Sequence, residues 1–273
     1  MDYLLDALDK LVDINLDVLT TSYQEGEQAK LIKDVAFLRE CNSNSTVIPY
    51  AQPIFNAKTL KVEKYECLMR LRDPSDSTII KSIFPYLETA KNIKIYPSLM
   101  RTMLKKSFDY FSNTDHTFSI NLGYEDITNS AFADEIFSYI SKCKNPHQVV
   151  FEIVETDFIR DFSIIKSFVT KARSYGSIIA VDDFGSGFSS LQNILSLKPE
   201  IIKIDGSLIE DLDTSKDSEI IVKNIINMTK DLGSKTVAEF IHSSSVMEKA
   251  QELGVDFLQG FYLGKPAPLK NID

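Results

Sequence analysis

Ile178-Ile179-Ala180-Val181-Asp182-Asp183-Phe184-Gly185-Ser186-Gly187-Phe188-Ser189-Ser190 joins an apolar run to two adjacent carboxylates, a Gly-Ser-Gly turn and a pair of serines. The apolar run is short enough to be a buried strand, and the apolar period after Ser190 predicts a helix. A buried strand that ends in Asp-Asp and a flexible loop is how an α/β enzyme presents metal ligands. The same residues would also serve the fold alone, with Asp183 or Ser186 capping the next helix. What stands on either side of the stretch decides between the two.

Six helical patterns each lead into a short apolar run: 98–111 into 117–122, 131–142 into 149–154, 162–175 into 178–182, 188–196 into 201–205, 217–232 into 236–239 and 246–253 into 257–260. Two strands come first, over 47–55 and 60–71, with a turn at 56–59. So short a connection makes them antiparallel. Eight strands in about 220 residues with this alternation predict an α/β fold, a (β/α)8 TIM-like barrel with an antiparallel first strand pair. No G-x-G-x-x-G follows the first strand, so a dinucleotide-binding fold lacks its mark.

N-terminal helices precede the barrel. Leu4, Leu8, Leu11 and Val12 share a face over residues 1–19, and polar residues with Gly26 interrupt the pattern over 20–28. Leu31, Val35 and Leu38 line a second helix to about Arg39, and Asn42-Ser43-Asn44-Ser45-Thr46 reads as a linker. The expected division is therefore 1–45 as a helical segment and linker, and 46–273 as the barrel domain. The arm either packs on the body or relays a signal from an upstream sensor.

The net charge of −9 argues against binding a nucleic-acid polymer, which needs a basic face. It leaves room for a small phosphorylated ligand, because metal ions invert a local field. Cys41, Cys67 and Cys143 form no C-x-x-C pair, and His116, His147 and His242 are dispersed, so neither zinc nor a disulfide framework is implied. A reducing, cytoplasmic setting is the expectation. Asp2, Asp6, Asp9 and Asp13 give the start the wrong charge for a signal peptide, and no apolar run is long enough to span a membrane. No membrane contact is expected of this segment, which could be the cytosolic part of a larger protein.

Strands buried on both faces should be nearly all apolar. Here they carry polar residues at period two: Glu66, with Leu68 and Arg70 on its face, then Asn121, Glu152, Asp182, Lys203 with Asp205, Glu239 and Gln259. If the apolar faces meet the helices, these groups point into the barrel. Most stand toward the strand C-terminal ends, where barrel active sites sit. Buried carboxylates protonate or pair, and so many around one lysine and one arginine are not self-neutralising. A divalent cation balances them. All-oxygen ligands without His or Cys suit Mg²⁺, Mn²⁺ or Ca²⁺, and this many could hold two ions about 4 Å apart. A purely structural ion-pair network is the alternative.

These residues also form a signature. Tyr50-Ala51-Gln52-Pro53-Ile54, Tyr65-Glu66-Cys67-Leu68-Met69-Arg70, Ser119-Ile120-Asn121-Leu122 and Phe151-Glu152-Ile153-Val154-Glu155 come first. Asp182 to Leu191, Lys203-Ile204-Asp205, Ala238-Glu239 and Gln259-Gly260-Phe261 follow. In this order the chain resembles the EAL-domain cyclic di-GMP phosphodiesterases from about Ile48 to Pro266. The resemblance implies hydrolysis of cyclic di-GMP to linear pGpG with Mg²⁺ or Mn²⁺, two ions per site, and a homodimer; Ca²⁺ is expected to bind but inhibit, since it tolerates loose geometry where the reaction needs tight positioning.

It also implies residue roles. Glu66, Asn121, Glu152, Asp182 and Asp205 would bind metal, and Asp183 would bridge to the second ion or hold its water. Lys203 would sit beside the attacking water and phosphate, and Glu239 would bind metal-linked water or assist proton transfer. Arg70 would meet a substrate phosphate, Leu68 would lie near the guanine pocket, and Gln259 would contact the site floor. Glu155 would tie down the loop after Asp183. Lys203 among carboxylates should stay protonated, which suits electrostatic stabilisation and opposes a Schiff-base lyase.

The departures are Cys67 for an alanine on the outer face, Ser186 for a threonine, Phe240 for a glycine and His242 for a glutamate. Leu71-Arg72-Asp73-Pro74-Ser75-Asp76 lacks the family's usual Trp and Gly-rich pattern. The altered surroundings of Glu239 and the extra arm leave a non-catalytic receptor for cyclic di-GMP as the alternative.

Overall fold

The computed structural model describes residues 26–186 and 191–272. The helix expected over 1–19, most of the break after it, and Gly187-Phe188-Ser189-Ser190 lie outside the described residues. The chain divides into two compact units, whose described parts are residues 26–47 with 70–100, and 48–69 with 101–186 and 191–272.

In the first unit, helix α1 covers residues 26–43. It runs beyond the expected end at Arg39 and takes in the first residues of the expected linker. The reason is burial: Leu38 and Cys41, three apart on one face, are both wholly buried. Ser45, at φ +51°, stops it. The unit also holds Val47, the first residue of β1 (Val47–Asn56), and the last residues of β2 (Val62–Arg72). A strand that the sequence pattern did not reveal, β3 (Ile80–Ser82), pairs antiparallel with Arg70–Arg72. Asp73 binds Lys81 at 2.8 Å, and that ammonium lies 4.3 Å from the centroid of the Phe37 ring. Helix α2 (Leu87–Asn92) and the start of α3 (Tyr96–Phe111) complete the unit.

The second unit is the barrel. β1 and β2 form the antiparallel pair expected, across a turn where Asn56 Oδ1 accepts from the backbone N–H groups of Lys58 and Thr59. Parallel strands follow: β4 (Thr117–Leu122), β5 (Val149–Val154), β6 (Ile178–Phe184), β7 (Ile201–Ile204), β8 (Lys235–Ala238) and β9 (Phe257–Leu258). β9 returns to β1 at Phe55 and closes the ring. Between them run α4 (Tyr124–Thr128), α5 (Ser130–Lys142), α6 (Phe162–Ser174), α7 (Leu191–Leu197), α8 (Gly206–Ile209), α9 (Lys216–Leu232) and α10 (Ser244–Leu253). A short β10 (Ala267–Pro268) pairs with β1. α4 and α8, only five and four residues long, are too short to show a helical period and escaped the sequence reading. No helix among the described residues is long and apolar enough to cross a membrane.

Strand alternation sorts the barrel interior into layers. Ile54, Val150, Ala180, Ile201 and Val237 form one buried cluster, with Ile178 and Phe257 against it. Two residues along each strand, on the same face, stand Gln52, Glu152, Asp182, Lys203, Glu239 and Gln259. Glu66 and Asn121 complete this polar layer from β2 and β4. The outer faces are apolar and meet the helices: Phe118 of β4 stacks on Phe111 of α3 with ring centroids 4.4 Å apart. Cys67 is buried on that outer face, near Ser107 of α3.

Candidate active site

Lys203 is the centre of the polar layer. Its Nζ lies 2.7 Å from Glu152, 2.9 Å from Asp182, 2.9 Å from Glu239 and 3.3 Å from Glu66. The lysine side chain is 1% exposed, so these contacts are made almost without water. Although burial opposes its charge, the carboxylates of Asp182, Glu152, Glu239 and Glu66 raise the Lys203 pKa well above the ordinary lysine value. The ammonium is therefore fixed as a cation.

One cation does not balance four carboxylates. Burial favours the neutral form of Glu66, but Lys203, the Gln259 amide at 2.6 Å and the Asn121 amide at 2.7 Å hold its pKa below the usual range. Glu152 goes the other way: burial, and then the nearby Glu66 and Asp182, push it up to about 8 despite Lys203. Burial with Asp182 and Glu66 also raises Glu239 well above its ordinary value. Burial and the like charges of Asp182 and Asp205 raise Asp183 to about 6. The site holds more negative charge than the protein neutralises.

Asp182 and Asp183 reach the same side of the sheet through an irregularity. Strict alternation would send adjacent side chains to opposite faces. The β6–β7 register shifts between Val181 and Phe184, and Asp183 adopts a left-handed backbone, φ +54°. The chain then turns at Gly185, φ +99°, where a Cβ would lie 2.6 Å from Leu208 Cδ1. Gly185 N–H donates to Glu155 Oε2 at 2.8 Å, from the end of the neighbouring strand β5.

Glu239 follows β8 directly, and Gln259 follows β9. Gly260 lets the Ile241 backbone approach: a Cβ there would meet Ile241 O at 2.1 Å. Gln259 in turn donates to Gln52 Oε1 at 3.4 Å. A cavity of ≈ 400 Å³ opens over this end of the barrel, lined among others by Glu66, Asp205, Glu239, Phe240, Gln259 and Phe261.

Among the described residues, two carboxylate sets have oxygens close enough to share an ion: Glu66 with Glu152 and Asp182, and Asp182 with Asp183 and Glu239, each within 4.8 Å of one another. Their chemistry fits a hard divalent cation, since the donors are anionic oxygens in excess over the one ammonium. Gln259 Oε1, buried with no partner, is an acceptor left for a further donor.

Asp205 was read as part of the inward face of β7; the strand ends at Ile204, and Asp205 caps α8, its Oδ1 accepting from Ser207 N–H at 3.0 Å. It borders the cavity but stands outside both carboxylate sets. Leu68 is half-buried on the Glu66 face of β2. Arg70 belongs to the first unit, where its guanidinium donates to Ser82 Oγ at 3.4 Å.

Two interior residues were missed. Gln52, buried, bridges Gln259 and the Gly264 carbonyl. Lys64, two residues before Glu66 on its face, is 7% exposed, its Nζ 3.7 Å from the centroid of the Phe257 ring. Their signal was period-two alternation: Lys64 shares the Glu66 face of β2, and Gln52 shares a face of β1 with Ile54.

The chain is similar to known proteins over most of its length. The EAL domain family matches residues 35–266. Cyclic di-GMP phosphodiesterase PdeB of Shewanella oneidensis is 31% identical over 231 residues, 81% of this chain and 26% of its own length. Cyclic di-GMP phosphodiesterase PdeA of Borreliella burgdorferi is 31% identical over 224 residues, 81% of this chain and 33% of its own. The chain thus spans about a quarter to a third of the length of these curated relatives. The PaMucR phosphodiesterase of Pseudomonas aeruginosa, solved in complex with c-di-GMP, has the same fold, with a TM-score of 0.80 at 24% identity over 88% of this chain and 98% of that one. With a family match running from within α1 to beyond the last barrel strand, and with the acidic layer inside the barrel it encloses, this chain belongs to the EAL domain family.

Proposed function

We propose that the chain is a metal-dependent phosphodiesterase that hydrolyses cyclic di-GMP to linear pGpG in bacterial second-messenger signalling in the cytoplasm. The observation that carries this reading is the pair of carboxylate sets meeting at Asp182 around the buried Lys203. Residues 46–273 form the catalytic domain, and residues 1–45 an arm that receives the signal of an upstream sensor. The greater length of the curated relatives leaves room for such a sensor. The active species is a homodimer.

Glu66, Asn121, Glu152 and Asp182, with Asp205 from the cavity wall, would hold one Mg²⁺ or Mn²⁺, and Asp183 would reach a second ion or hold its water. The ions supply positive charge at the phosphodiester and lower the pKa of a water at the site. Lys203, fixed as a cation, stabilises the negative charge that grows on the phosphate oxygens as water attacks phosphorus and the bond to the 3′-oxygen breaks. Glu239, whose pKa burial and the nearby Asp182 and Glu66 raise, would bind metal-linked water or assist proton transfer between the water and the leaving oxygen. Gln259 and Asn121 keep Glu66 ionised and oriented. Glu155 anchors the loop that positions Asp183 through Gly185.

The test is cleavage of cyclic di-GMP by the purified chain with Mg²⁺, Mn²⁺ or Ca²⁺, followed by chromatography, with Glu66→Ala beside it. Linear pGpG is expected with the first two ions only, and not from the variant. Ca²⁺ tolerates loose geometry where the reaction needs tight positioning, so it binds and inhibits. Turnover without metal, or undiminished in Glu66→Ala, would reject the mechanism. Tight binding with no product would make the chain a receptor.

A further inference from the structure

Phe240, the residue after Glu239, has a left-handed backbone, φ +55°. A bulky aromatic side chain rarely adopts that conformation. Such strain persists where neighbours impose it, and it gathers at ligand sites. The neighbours here are specific. Phe240 packs on Gly206, where a Cβ would lie 2.9 Å from Phe240 Cβ, so the ring seats only because that residue is glycine. Its edge meets the His242 ring at 5.7 Å and 63°. His242 Nε2 lies 2.8 Å from the carbonyl oxygen of Glu210, just past the end of α8.

This clamp holds the ring without covering it. Phe240 is 52% exposed, and Phe261, which lines the same cavity, is 64% exposed. A strained backbone that leaves an aromatic face half bare is unfavourable twice over in the ligand-free protein. The same cavity is bounded by Glu66, Asp205 and Glu239. It therefore offers carboxylates at one wall and bare aromatic rings at another, as a ligand with a phosphate and a planar base requires.

The geometry points to Phe240, braced by His242 and Gly206, as a stacking platform for a purine base of the substrate, and so as a binding determinant of the reaction. This rests on the phosphodiesterase reading above. Stacking acts on the base in the ground state and the transition state alike, so it lowers KM more than it raises kcat.

The test compares Phe240→Gly, Phe240→Asn and Phe240→Tyr with the unaltered chain. Glycine and asparagine accept the left-handed backbone, and tyrosine keeps the ring. Cyclic di-GMP binding is read by calorimetry with Ca²⁺, turnover with Mn²⁺, and folding by thermal melting. The glycine and asparagine variants are expected to melt no lower than the unaltered chain. Their Kd and KM should rise about tenfold, with kcat changing far less, while Phe240→Tyr stays near the original values. Unchanged Kd and KM in Phe240→Gly would overturn the inference, as would weaker binding accompanied by earlier melting in both ring-deleted variants. If the unaltered chain binds but does not cleave, the hydrolase reading fails while the Kd comparison still decides the role of Phe240. If it does neither, both fall.

Discussion

Glu152 Oε2 and Lys203 Nζ are 2.7 Å apart inside the barrel, with side chains 2% and 1% exposed. Three further carboxylates reach the same ammonium, so its removal leaves them facing one another. Lys203→Met should destabilise the metal-free protein by about 3–5 kcal/mol, the usual consequence of breaking a buried pair from one side. Mn²⁺ should restore part of that loss, and cyclic di-GMP cleavage should remain absent. Urea unfolding in EDTA and in Mn²⁺ checks this; equal stability of the variant in EDTA would contradict the charge imbalance.

Asp183 combines a left-handed backbone with a carboxylate raised to about 6 by burial and by Asp182 and Asp205. Asparagine tolerates that backbone as well as aspartate does. Asp183→Asn should therefore melt at the same temperature or higher in EDTA, because one repelling charge is gone. Its turnover of cyclic di-GMP should fall roughly a hundredfold or more. A variant that melts earlier while keeping its activity would assign Asp183 to the fold instead.

Glu155 is buried and accepts from Gly185 N–H, so it acts on the Asp183 loop from the strand beside it. Glu155→Ala should weaken Mn²⁺ binding by roughly ten- to a hundredfold, in the manner of groups that orient metal ligands. Circular dichroism should be unchanged. Glu155→Gln keeps an acceptor oxygen and should recover most of the affinity. Calorimetric titration with Mn²⁺ separates the two variants, and equal affinities for Glu155→Ala and the original chain would remove the anchoring role.

Lys64 gives the pH dependence its sign. Burial pushes its pKa down to about 8, from an ordinary lysine value near 10.5. Between those values the unfolded chain binds more protons than the folded one, so stability rises with pH through that window and the penalty is complete below about 8. Lys64→Met should raise stability at pH 7 by roughly 1–3 kcal/mol and abolish the rise. Chemical denaturation at pH 7 and pH 10 measures both effects. A variant less stable than the original at pH 7 would show that the Phe257 contact outweighs the buried charge.

Much of the barrel was legible because burial writes itself into period two. Glu152 between Phe151 and Ile153, and Lys203 between Ile202 and Ile204, mark both the strand and the inward face, since only a special interior tolerates a charge there. Asp205 marks the limit of that pattern: alternation carries no sign of where a strand stops, and β7 ends at Ile204, so Asp205 reaches the cavity wall as the cap of α8 and not as a strand residue. Lys64 shares the Glu66 face, yet a lysine in an edge-like β2 also suits solvent. Its burial depends on Phe257, supplied by the far end of the chain.

The sequence by itself determined the eight barrel strands, most of their polar faces and the identity of the charges, because these follow from local alternation and from residue chemistry. Only the tertiary structure decided which carboxylates meet. Asp183 joins Asp182 through a bulge against β7 and a left-handed turn, and Glu239 joins them from β8 across Lys203. Those approaches depend on register and closure between distant segments, and the raised pKa values of Glu152 and Glu239 exist only once closure has excluded water and brought like charges together.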